Sequence, residues 1–233
     1  MKALLVDLDD TLLDYSRGID VSWREACEAM CPPCGVDPCG LPEGIAAARR
    51  WFWDESGRHR EGRRDMVRAW AINAARALEH HGAPNEALAR AIAEDYGARR
   101  RAAYRLLPGA VETLAELRRR GMPLALVTNG DSREQRFKIE RFDLARYFDV
   151  IVVEGEFGAG KPEEAVYRHA MAKLGAVAAT TWMVGDHLEW DVGAPQRLGL
   201  TGVWVDGPGV GLPAGSAVTP HHIVRAFSGL LSV

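Results

Sequence analysis

No apolar run in this sequence approaches the roughly 18 residues that a membrane span requires, and no internal repeat or low-complexity tract interrupts it. A large excess of one charge is also missing. The net charge is −3 and the isoelectric point about 6.2, so neither a nucleic-acid polymer nor an anionic membrane is indicated as partner. The amino terminus enters a strand pattern directly, leaving no room for a signal peptide. The expectation is a cytoplasmic protein, monomer or homodimer, acting on a small molecule. Lysine is scarce: Lys2, Lys138, Lys161 and Lys173 are all there are. Cysteine is confined to Cys27, Cys31, Cys34 and Cys39, spaced C-x3-C-x2-C-x4-C. That cluster is open to three readings: reduced thiols in a loop, a disulfide, or a four-thiolate zinc site using the two-residue gap of Cys31-Pro-Pro-Cys34.

What is present suits a globular chain with one core, or one core plus an insert: 233 residues, 47% hydrophobic and 26% charged. The first stretch organises the rest. Ala3 to Val6 is a short apolar run of the kind buried on both faces of a sheet. It ends abruptly in Asp7, Asp9 and Asp10, with Asp14 close behind. Several carboxylates side by side are costly to bury without a compensating cation. Oxygen ligands at a strand's carboxyl end point to a hard divalent ion, Mg2+ foremost.

Between Tyr15 and Leu106 no strand pattern appears. Helical periodicity is expected over Ile19–Met30, Glu43–Glu55, Arg64–His81 and Asn85–Arg105, with a Pro/Gly-rich loop after the first helix. The stretch Gly57-Arg-His-Arg-Glu-Gly-Arg-Arg64 reads as a charged loop. From Leu107 strands alternate with helices: strands over Pro123–Val127, Val150–Val153, Thr181–Val184 and Thr201–Val205, helices over Pro108–Arg120, Ser132–Phe142, Glu163–Leu174 and Asp191–Leu198. Alternation of this kind implies a doubly wound parallel α/β sheet. The expected layout is an α/β core of residues 1–14 and 107–233, with a helical cap domain of residues 15–106 inserted in it.

Each later strand exit carries polar groups. Thr128-Asn129-Gly130 offers a hydroxyl, an amide and close backbone approach. Gly160-Lys161-Pro162 places a cation just before a helix start. Gly185-Asp186, followed by Glu189 and Asp191, adds acids. Each is commonplace alone. In this order they predict acids, a hydroxyl and a lysine meeting at one sheet edge.

This ordered set resembles the haloacid dehalogenase-like (HAD) hydrolase superfamily. Asp7-Leu-Asp9-Asp10-Thr11 matches its first motif, Thr128-Asn129 its second, Lys161-Pro162 its third, and Gly185-Asp186 with Asp191 its fourth. The resemblance spans the chain. The insert is similar to the C1-capped branch, and the wording of the motifs is most similar to N-acylneuraminate-9-phosphatase and pyrimidine-nucleotidase types. Asp10 stands where many members carry Gly, which leaves the turn conformation to be determined. The resemblance implies a Mg2+-dependent phosphatase acting on a small phosphomonoester. In it Asp7 is the nucleophile that becomes an aspartyl-phosphate, and Asp9 is the general acid and then base. Mg2+ is bound by Asp7, Asp186 and the backbone carbonyl of Asp9, with Asp191 supporting the metal from behind. Thr128, Asn129 and Lys161 hold the phosphoryl oxygens, and the cap closes over the site and sets specificity.

Other readings carry less. Gly155 to Lys161 imitates a P-loop, but Pro162 replaces the Ser or Thr that such a loop needs. Dehalogenases use no metal, and phosphonate hydrolases of the superfamily use a cap lysine, which this chain lacks. A phosphomutase shares both aspartates of the first motif, and a phosphate-binding protein without turnover is the alternative outside enzymology. In the insert, Arg58, His59, Arg60, Arg63 and Arg64 are candidates for contact with an anionic substrate. Trp51, Trp53 and Trp70 are expected to pack between helices.

Overall fold

In chain order the elements are β1 (Ala3–Val6), β2 (Leu13–Asp14), α1 (Ile19–Met30), α2 (Leu41–Trp53), α3 (Ser56–Gly62), α4 (Met66–His80), α5 (Glu86–Ala103), β3 (Arg105–Leu106), α6 (Ala110–Arg119), β4 (Leu124–Thr128), α7 (Ser132–Arg141), β5 (Val150–Val153), α8 (Glu154–Phe157), α9 (Glu164–Leu174), β6 (Thr181–Gly185), α10 (Ala194–Arg197), β7 (Thr201–Val205) and β8 (His222–Val224). This computed structural model describes residues 1–233 apart from the side chain of Ser56. It divides into two units, Met1–Tyr15 with Arg105–Val233, and Ser16–Tyr104.

The first unit is built on a six-stranded sheet in the order β5-β4-β1-β6-β7-β8. Neighbouring strands pair in parallel throughout. β1 is fully buried, as its unbroken apolar run requires. The chain turns back on either side of it, to β4 and β5 one way and to β6, β7 and β8 the other. Such a switch of direction opens a crevice at the carboxyl ends of the strands. Register decides what lines it. Val6 pairs with Leu126 and with Val184, and Asp7 N–H continues the ladder to the Val184 carbonyl at 3.0 Å. Asp7 thus emerges next to the ends of β4 and β6, level with Gly185 and one residue short of Asp186. Leu5, Val127, Tyr167 and Met183 belong to one buried cluster beneath this edge.

The structure adds elements that the pattern did not announce. β8 is a three-residue edge strand after a long loop, and β2 with β3 forms a two-residue antiparallel pair, Leu13 to Leu106 and Asp14 to Arg105. A run of two or three residues carries too little periodicity to be read. The helix expected from Asp191 begins earlier, with a π-helical turn over Leu188–Gly193 that leads into α10.

The second unit is all-helical. Trp23, Trp70 and Tyr96 meet in its core: Trp23 stacks on Tyr96 with ring centroids 3.8 Å apart, and Trp70 meets Tyr96 edge-on at 5.1 Å. Trp70 packs between helices as expected. Trp51 does not. It is partly exposed and lies between the guanidinium groups of Arg58 and Arg76, each 4.1 Å from its ring centroid. The stretch expected to be a charged loop is largely helical, as α3. Its glycines read as breakers, but the Glu55 carboxylate accepts bonds from Gly57 N–H and Arg58 N–H and caps the first turn. All four cysteines are unbridged. Cys27, in α1, and Cys31, just past its end, are buried in the helical core; burial and the neighbouring Cys31 push the Cys27 thiol up to about 12. Among the described residues no helix is long and apolar enough to cross a membrane.

Candidate active site

The turn after β1 sets the geometry. Leu8 accepts bonds from Leu12 N–H and Leu13 N–H, and Asp10 N–H bonds the Leu13 carbonyl. The tight reversal holds Asp10 at a φ of 58°. This left-handed conformation explains why Gly is tolerated in such a turn, and Asp is among the few side chains that also adopt it. The Asp10 carboxylate fastens the turn by accepting Tyr15 N–H at 2.9 Å. Asp10→Ala should therefore cost about 1–2 kcal/mol in a denaturant melt, whereas Asp10→Gly loses only the side-chain bond.

Asp7 is buried, and both of its oxygens are engaged. Lys161 Nζ donates to Oδ1 at 2.5 Å and Thr11 Oγ1 donates to Oδ2 at 3.1 Å. Lys161 Nζ also donates to Asp191 Oδ1 at 2.6 Å. The other Asp191 oxygen accepts His187 N–H at 3.0 Å, closing the π-helical turn. Burial works against the Lys161 ammonium, but Asp191 and Asp7 outweigh it and hold its pKa above the ordinary lysine value. Asn129 braces the same lysine from behind. Its amide donates to the Lys161 carbonyl and accepts Lys161 N–H, both at 2.7 Å. The Lys161–Pro162 peptide is cis. Glycines make room for these contacts: a Cβ on Gly160 would lie 2.6 Å from Glu154 and 2.7 Å from Asn129, and one on Gly185 only 2.3 Å from the Asp191 carboxyl. Gly185→Ala should displace Asp191 and lower stability by about 2 kcal/mol, read as a fall in melting temperature.

Carboxylate oxygens of Asp7, Asp186 and Asp191 lie within 4.8 Å of one another and could hold a metal ion. Asp7 and Asp186 belong to the expected set; the Asp9 carboxylate points toward Lys138 and Gln135, the ligand expected from Asp9 being its backbone carbonyl, and Asp191, expected to support the metal from behind, lies in the same group. Lys161 supplies one positive charge to three acids. Burial pushes Asp186 up to about 9, reinforced by Asp7 and Asp191. Burial likewise pushes Asp7 up to about 7 against the pull of Lys161. A cluster that resists full ionisation on its own, with hard oxygen donors only, fits a divalent cation. The sign of the pH dependence follows. Without metal, the folded state holds protons on Asp186 and Asp7 that the unfolded chain releases near pH 4. Stability should then fall as pH rises from about 4 to about 9, and Mg2+ should flatten the slope in melts across that range.

Thr128, at the end of β4, is buried and its hydroxyl accepts Gln135 Nε2 at 2.5 Å. Gly130 N–H is held by Glu154 at 3.0 Å. Thr11, Gln135 and Lys138 are the residues that the motif reading left without a role. Gln135 and Lys138 share the buried face of α7 with Ile139, where the helical stripe would ordinarily be apolar, and that was the available signal.

A family model described as haloacid dehalogenase-like hydrolase matches residues 1–199. The chain belongs to that family. The hydrolase is 34% identical over 228 residues to a phosphoserine phosphatase of Thermus thermophilus, covering 88% of this chain and 89% of the relative. It is 30% identical over 245 residues to the N-acylneuraminate-9-phosphatase of Rattus norvegicus, covering 97% and 90%. The Bacillus subtilis protein YfnB, in a structure bound to magnesium, shares the fold with a TM-score of 0.77 and 21% identity over 99% of this hydrolase and 97% of that chain.

Proposed function

We propose that this hydrolase is a Mg2+-dependent phosphatase that releases phosphate from a small phosphomonoester through an aspartyl-phosphate on Asp7. One observation carries the reading. A buried carboxylate at the end of the central strand is fixed on both oxygens, by Lys161 and Thr11, beside two further acids, Asp186 and Asp191, that share the single charge of Lys161 with it. The relatives named above are phosphatases of dissimilar small molecules, which supports phosphate-ester chemistry with a variable leaving group.

Asp7 attacks phosphorus and the ester oxygen departs, protonated by Asp9. Asp9 then takes a proton from the water that opens the acyl-phosphate. Thr128 Oγ1, the backbone at Asn129 and the Lys161 ammonium receive the equatorial phosphoryl oxygens. Asn129 fixes Lys161 through its backbone, so its side chain serves the lysine, and its N–H is the group assigned to the phosphate. Asp7, Asp186 and the Asp9 carbonyl would hold Mg2+, with Asp191 in support, and the ion would supply the positive charge that offsets these acids and the phosphoryl group. The choice of leaving group is assigned to the helical insert.

The test is phosphate release from p-nitrophenyl phosphate and from a panel of phosphorylated hydroxy acids, sugars and nucleotides, with and without Mg2+. Mg2+-dependent release is expected. Isomerisation of a sugar phosphate without release would make the protein a mutase, and silence on every ester with Mg2+, Mn2+ and Co2+ would leave it a binding protein.

A further inference from the structure

Lys138 lies outside the four motifs, yet it is almost completely buried on the inner face of α7. A buried ammonium is costly unless it is well paired, and an apolar residue would fill the place at no such cost. Its Nζ donates to both oxygens of Asp9, at 2.9 and 2.7 Å, and to Gln135 Oε1 at 2.7 Å, and sits 4.4 Å from the centroid of the Tyr15 ring. Gln135, one turn earlier on the same face, completes the mount. Its Nε2 donates to Asp9 Oδ2 at 3.1 Å and to Thr128 Oγ1 at 2.5 Å. One amide therefore touches both the carboxylate proposed to move protons and the hydroxyl proposed to hold a phosphoryl oxygen.

We propose that Lys138 and Gln135 are positioning residues: they fix the Asp9 carboxylate in direction and lock its place relative to Thr128, so that proton and phosphoryl group are presented at a set separation. This rests on Asp9 being the acid and base of the reaction. The lysine makes no contact with substrate in this scheme. It restricts the rotation of Asp9, whose side chain is partly exposed and would otherwise sample several rotamers. Helix α7 is itself fixed at its start, where Asp131 caps Glu134 N–H at 3.1 Å, so the mount is tied to the same turn that delivers Thr128.

The test is a double-mutant cycle on phosphate release, with soluble, folded protein verified by circular dichroism. Lys138→Met should lower kcat on the order of 10²-fold, the scale of a misplaced reacting group, with KM changed less than about 3-fold, since uniform binding is untouched. The loss should be larger for an alkyl phosphate than for p-nitrophenyl phosphate, whose leaving group needs no proton. Lys138→Arg, which keeps the cation, should recover part of kcat. In an Asp9→Asn background Lys138→Met should add almost nothing. If Lys138→Met does not fold, Gln135→Leu takes its place in the cycle with the same expected non-additivity. Losses that add across the cycle, or an unchanged kcat in folded Lys138→Met, overturn the proposal. A separate outcome marks failure of the underlying reading: Asp9→Asn with wild-type turnover on alkyl phosphates while Asp7→Asn is dead.

Discussion

Asp7→Asn should abolish phosphate release, by about 10³-fold or more, and leave the fold intact. An amide cannot form the acyl-phosphate, so what disappears is the covalent step. Binding of the ester is expected to persist. The structure gives a reason for the protein to survive the change. Asn keeps the volume, its carbonyl can still accept from Thr11 or Lys161, and Lys161 retains Asp191 as its ionic partner. The substitution also removes a carboxyl that burial already pushes up to about 7, so no compensated charge of large value is lost. Circular dichroism and a thermal melt should match wild type within a few degrees, and steady-state release of phosphate should be at background.

Lys161→Met should do the opposite to the fold. The ammonium is bonded to both Asp7 and Asp191. Removing it leaves two buried carboxylates facing each other, beside Asp186. Loss of one partner from a buried ion pair typically costs about 3–5 kcal/mol. For a chain of this size each kcal/mol is worth roughly 2–4 °C in melting temperature, so a fall of about 6–20 °C is expected. Two further results would follow from the same cause. Lower pH should restore part of the lost stability by protonating the acids, and millimolar Mg2+ should restore more in the variant than in wild type. Activity should fall as well, because the phosphoryl oxygen proposed to meet Lys161 would lose its counter-charge. A melt unchanged at neutral pH would mean that the acids are neutral in the folded protein.

The contrast between what was and was not legible in the sequence has a physical origin. Asp7, Thr128, Lys161 and Asp186 could be picked out because each stands where an apolar strand or its following loop ends, and parallel strands deliver their carboxyl ends to one edge. The strands over Val150–Val153 and Thr201–Val205 coincide with β5 and β7 because their apolar runs are bounded by polar residues on both sides. β8 escaped because His222-Ile-Val224 is too short to show a period, and it owes its place to β7 beside it. The helix α3 escaped because the cap that starts it is a glutamate, one residue type removed from the usual capping set. Lys138 was visible as one of four lysines but carried no assignment, since a motif reading looks at strand ends and Lys138 acts from a helix face. The left-handed Asp10 shows the converse: the doubt raised by a missing glycine is answered by an aspartate that both adopts the conformation and bonds across the turn.

The proposed reaction requires covalent capture of phosphate by one carboxylate. Quenching turnover in the presence of hydroxylamine, followed by peptide mass spectrometry, measures it directly. A hydroxamate at Asp7, dependent on both substrate and Mg2+, is the predicted result. Full turnover with Asp7 unmodified, or with the label on another acid, would contradict it.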